Sequence, residues 1–98
     1  MARKVIWSDE AIADLGDFVR RIAGDNHAAA ETMGLTIFER TRMLAEFPQA
    51  GRVVPEARDP SVREIIVDPY RVIYELNAST GSVDILRVWH AARGRPEF

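Results

Sequence analysis

The 98 residues, 47% hydrophobic and 29% charged, suit one ordinary globular domain over 1–98 and are too few for a second core. The lack of cysteine excludes disulfides, thiolate metal sites and cysteine nucleophiles, and fits a reducing cytosol. A formal net charge of −2, with no strongly basic half, argues against indiscriminate nucleic-acid binding.

Of the 13 basic residues only Lys4 is a lysine. Arginine's planar fork suits bidentate pairing with carboxylates or phosphates, although a GC-rich coding sequence produces the same bias. The three apolar residues between Lys4 and Ser8 read as neither a signal peptide nor a membrane span, and no later segment reads as spanning a bilayer, so a cytoplasmic protein is expected.

In chain order, Arg3 to Trp7 predicts a short strand ending at Ser8. Ser8 is a good N-cap, and Asp9 and Glu10 place negative charge where the helix dipole favours it. Ala11, Ile12, Leu15, Phe18, Val19 and Ile22 then recur at helical spacing, with Gly24 suited to the position just past the helix end. Asp25 and Asn26 can cap a second helix running to about Glu46, stopped by Phe47-Pro48. Its stripe is Ala30, Met33, Ile37 and Leu44, while Leu35, Phe38 and Ala45 lie partly on another face. That second face meets either the sheet or a partner chain.

Pro48, Gly51, Pro55 and Pro60 mark residues 48 to 61 as a loop within the domain. Val62 to Val67, a turn at Asp68-Pro69, and Tyr70 to Leu76 predict two strands, the second with Tyr70, Val72, Tyr74 and Leu76 on one face. A loop over Asn77 to Ser82 leads to a third strand from Val83 to Trp89 or His90. Strict alternation there puts Leu86, Val88 and His90 on one face and Ile85, Arg87 and Trp89 on the other. The expected class is α+β, with an N-terminal strand and a helical hairpin packed on an antiparallel sheet that ends in a three-strand meander. One sheet face would be covered by the helices and the other left open for function.

Metal ligation is poorly supported, because His27 and His90 are far apart and no ligand-spaced cluster accompanies either. Phosphate-cradling glycine loops and a nucleophile elbow are missing from the sequence, and no cofactor is expected. The remaining constellation is Arg63, Arg71, His90, Arg93 and Arg95. Its arginines could hold phosphates around a phosphodiester while His90 moves a proton. The competing reading pairs Arg63 and Arg71 with acids such as Glu64, Glu75 or Asp68 on neighbouring strands. His27 reads as a surface residue, and Trp7 and Trp89 as core or edge anchors.

Four segments in order resemble the RelE/ParE superfamily of type II toxin–antitoxin toxins. They are Ser8-Asp9-Glu10-Ala11-Ile12-Ala13-Asp14-Leu15, Phe47-Pro48-Gln49-Ala50-Gly51-Arg52, Tyr70-Arg71-Val72-Ile73-Tyr74 and Leu86-Arg87-Val88-Trp89-His90-Ala91-Ala92-Arg93. The likeness spans nearly the whole chain and implies a cognate antitoxin in a hetero-oligomeric complex. Antitoxin or target would meet Leu35, Phe38, Arg42, Arg63, Arg71 and Arg93.

The superfamily's RelE branch cleaves mRNA on the ribosome, a role that would fall on Arg63, Arg71, His90 and Arg93; its ParE branch poisons DNA gyrase. Here the basic strand is reduced to Arg63 followed by Glu64-Ile65-Ile66, and Phe98 cannot transfer a proton as a tyrosine can. An acidic pI near 5.6 also suits ribosomal RNA poorly. The V-x-H-x-A-R ending is similar to ParE-like members, so a gyrase inhibitor with a ParD-like antitoxin is expected. The ribonuclease is the alternative, and a non-toxic binding homologue the third possibility.

Overall fold

Ser8, in extended conformation, ends one element and starts the next, and in the computed structural model, which describes residues 2–98, its hydroxyl accepts the Ala11 N–H and donates to the Leu86 carbonyl. Strand β1 is Val5–Trp7 and helix α1 is Asp9–Asp25. Asn26 then caps twice: its backbone N–H closes α1 on the Ile22 carbonyl, and its side chain accepts the Ala29 N–H to open α2, His27–Arg42. Gly24 therefore lies inside the last turn of α1, not past its end, because an extended Asn26 terminates the helix without a left-handed residue. A 3-10 turn over Met43–Ala45 tightens the end of the second helix.

The sheet has five strands in the order β1-β5-β4-β3-β2, with β2 at Arg52–Val53, β3 at Val62–Val67, β4 at Tyr70–Leu76 and β5 at Val83–His90. Three pairings are antiparallel; β1 runs parallel to β5, the two helices and three other strands lying between them in sequence. The two-residue β2 lies inside the segment expected to be loop, where so short a strand cannot show an alternation. β3 and β4 are joined through Asp68-Pro69, whose peptide bond is cis.

A register shift between Ile73 and Tyr74 leaves Leu86 unpaired on β5, so Ile85 pairs with Tyr74 and Arg87 with Ile73. The expected division of that strand is thereby corrected. Ile85 joins Val88 against the helices, and Leu86 packs with Trp89 on the other face.

The main core lies between the helical hairpin and one sheet face, centred on Phe18, Ile37, Leu44, Val72, Tyr74 and Ile85. Of the predicted α1 stripe, Ile12 alone stands largely in solvent, at the stripe's margin. The opposite sheet face is not open. Val54, Val62, Ile73 and Trp89 form a second small core beneath the 54–61 loop and the C-terminal tail. Trp89 Nε1 donates to the Gly94 carbonyl at 3.1 Å, Arg95 to the Glu56 carbonyl at 3.3 Å, and Pro96 is buried. No described helix is long and apolar enough to cross a membrane.

Candidate functional site

Arg71 on β4 and Glu64 on β3 are diagonal neighbours on the face that carries Trp89, because Glu64 pairs with Ile73 and Trp89 with Arg71. Arg71 Nε donates to Glu64 Oε1 at 2.5 Å, and its two terminal nitrogens grip Glu56 at 3.0 and 2.8 Å. The Glu64 side chain has no solvent exposure and takes a second cation, Arg52, at 2.8 Å. A buried carboxylate is tolerable when charge-assisted hydrogen bonds satisfy both oxygens, as here. The Arg71 hydrogen bonds are the main cause holding the Glu56 carboxyl down at about 2, and the two carboxylates in turn raise the Arg71 pKa.

Arg63 points to the other side of the sheet, where its guanidinium donates to the backbone carbonyl of Gly51 at 2.8 Å. Of the two pairing ideas, Arg71 meets acids, Glu64 among them, and Arg63 meets backbone. The same corner is pinned by Tyr74, whose hydroxyl donates to Pro48 O and accepts the Gly51 N–H. Gly51 is required there, since a Cβ would lie 2.5 Å from Glu64 O and 2.6 Å from the Tyr74 hydroxyl.

His90 sits opposite Tyr70 at the end of β5, edge-on to its ring at 5.3 Å between centroids. Phe18 stacks on the other side of Tyr70 at 4.2 Å. Together with Arg20, Arg21 and Arg93 these side chains line a cleft of about 590 Å³ between α1 and the ends of β4 and β5. The Arg93 guanidinium also lies 4.0 Å above the Trp89 ring, a cation–π contact. Asp14, at the cleft's edge, is held by both forks of Arg87 at 2.7 and 2.9 Å and by the Val88 N–H. Thus the structure separates the four residues considered for phosphodiester chemistry: Arg71 lies under the 54–61 loop, Arg63 against Gly51, and only His90 and Arg93 share a cleft.

The outer face of α2 presents Leu35 at 64% exposure and Phe38 at 49%, with Arg42 beside them. The sheet does not cover these side chains. Next to them, Met43, Leu44, Phe47, Pro48 and Ile65 line an apolar groove of about 550 Å³. Glu56, Tyr70, Arg21 and Asp14 were not among the site residues expected from the sequence. Glu56 sits in a proline-rich loop 15 residues before Arg71, and Asp14 is 73 residues from Arg87, so no local pattern links either pair.

The profile of the family described as the ParE toxin of type II toxin-antitoxin system, parDE, matches residues 5–94. Toxin RelE2 of Caulobacter vibrioides is 34% identical over 91 residues, covering 92% of this chain and 97% of the relative. Among solved structures, the chromosomal ParDE system of P. aeruginosa superposes with a TM-score of 0.75 at 20% identity, over 91% of this chain and 96% of that one. A mutant of the E. coli toxin RelE in the free state gives 0.66 at 16% identity, over 96% and 88%. The RelBE2 toxin–antitoxin complex of Mycobacterium tuberculosis gives 0.57 at 23% identity, over 92% and 99%. At these identities the structures speak for the shared fold: two helices on a five-stranded, mostly antiparallel sheet. With the family profile matched almost end to end and a full-length relative above 30% identity, the chain belongs to the ParE/RelE family of type II toxin–antitoxin toxins.

Proposed function

We propose that this toxin arrests growth by binding DNA gyrase, without covalent chemistry of its own, and that a ParD-like antitoxin holds it inactive. The observation that carries this reading is the occupied fork of Arg71. A ribonuclease needs that guanidinium for a phosphate, whereas here each of its three nitrogens already donates to Glu56 or Glu64. The dispersal of Arg63, Arg71 and His90 supports the same conclusion, since acid–base catalysis requires its groups within hydrogen-bond reach of one scissile bond. The antitoxin is assigned to the Leu35, Phe38 and Arg42 face and the adjoining apolar groove, where a helix with matching apolar anchors would bury them.

The test is a supercoiling assay with purified gyrase, relaxed plasmid and ATP. Toxin should block supercoiling or accumulate cleaved DNA, and antitoxin should reverse the effect. Normal supercoiling in the presence of a toxin that still kills cells would sink the proposal.

Ribosome-dependent mRNA cleavage is the second reading, favoured by the name of the 34% identical relative, Toxin RelE2. Arg71→Ala is a poor probe of it, because it removes one of the two cations that hold the buried Glu64 carboxylate. His90→Ala and Arg93→Ala are cleaner: a ribonuclease should lose toxicity in both, with the fold retained.

A further inference from the structure

The cleft between α1 and the ends of β4 and β5 has a charge balance that the gyrase reading does not use. Its two acids are already neutralised: Asp14 by Arg87, and Asp17 by Arg20 at 2.6 Å. Arg21 and Arg93 line the same cleft, and neither forms an ion pair with any described residue. The other polar groups present donors. His90 Nδ1 accepts the Ala92 N–H at 3.0 Å, so the neutral ring carries its proton on Nε2. Burial pushes the Tyr70 phenol up, with Arg21 pulling partly against it, and the hydroxyl stays protonated at neutral pH. The apolar wall is the Phe18–Tyr70 stack with Val88.

We propose that this cleft binds a phosphate monoester of about nucleotide size. Two guanidinium groups without carboxylate partners match the charge of roughly −1.5 to −2 on a phosphate monoester near neutral pH, whereas a single carboxylate would leave one cation unmatched. A phosphate also offers several acceptor oxygens, enough for two arginines and the His90 and Tyr70 donors together. The volume of about 590 Å³ falls within the range of small-molecule sites and leaves room for an organic group beyond the phosphate.

The experiment is a two-dimensional NMR titration of the full ¹⁵N-labelled chain at constant ionic strength, with inorganic phosphate, adenosine monophosphate and adenosine as separate probes. Saturable shifts confined to Arg21, His90, Ala92 and Arg93 are expected with the two phosphates and none with adenosine. Tighter binding of the nucleotide than of inorganic phosphate would identify an organic phosphate as the ligand; equal binding would overturn the monoester assignment. Arg21→Gln should weaken either by about tenfold, the loss of one charge-assisted contact. Arg40→Gln, outside the cleft, should bind as the parent does. Shifts that rise linearly without saturation, spread over every arginine, or survive Arg21→Gln unchanged would overturn the proposal. No shift at all would do the same.

Discussion

A single side chain, Glu64, decides the chemistry of the second sheet face. Its carboxylate is fully enclosed, and it persists there because Arg52 and Arg71 approach from opposite sides. Arg71 then has a fork left over, which Glu56 fills. The Glu56 carboxyl is lowered from the usual 4.5 to about 2, first of all by its hydrogen bonds to Arg71. A folded-state value below the unfolded one stabilises the protein fully above about pH 4.5, and this contribution drains away as pH falls toward 2. The stability gap between the wild type and Glu56→Gln should therefore narrow over that window in urea-unfolding midpoints; a gap constant across it would show that Arg71 does not hold the carboxylate. Half of this network was legible in the sequence. Glu64 and Arg71 stand on consecutive predicted strands, close enough for a cross-strand pair to be considered, whereas Glu56 reaches Arg71 only through the path of the 54–61 loop.

At the scale of elements, the helices were legible because caps and apolar spacing act locally. Asn26→Ala should remove the Oδ1 acceptor from the Ala29 N–H while leaving the backbone closure of α1 in place. A loss of about 1 kcal/mol in chemical denaturation is expected, with Asn26→Asp restoring most of it. Equal stability of the alanine and asparagine forms would contradict the double-cap description. The strands were legible in place but not wholly in orientation. Alternation assigns faces correctly along β4, where every residue keeps a β5 partner, and fails on β5, because the unpaired Leu86 inverts every face assignment on one side of it. Neither glycine nor proline occurs within β5 to announce the irregularity. The exposed Leu35 and Phe38 were visible as an off-stripe pair, and the choice between sheet and solvent depended on how the hairpin is set against the sheet.

For the molecule as a whole, the departure from expectation is that both sheet faces are covered. The second core is small and depends on the C-terminal residues that fold back across it. Truncation after Arg93 would remove the Gly94 carbonyl from Trp89 and uncover the site of Pro96. In a Trp7→Phe background, where Trp89 is the one remaining tryptophan of two, its emission should shift to the red and stability should fall by about 1–3 kcal/mol. Unchanged emission would mean that the 54–61 loop alone seals the core. The helical hairpin is closed in a different manner, with Asn26 alone between the two helices. Such a joint has no slack, and Gly34 brings α2 close enough for its Cβ position to lie 3.7 Å from Val19 on α1. Geometrically the pair is a bent rod, with the exposed Leu35 and Phe38 on one limb and Arg20 and Arg21 on the other.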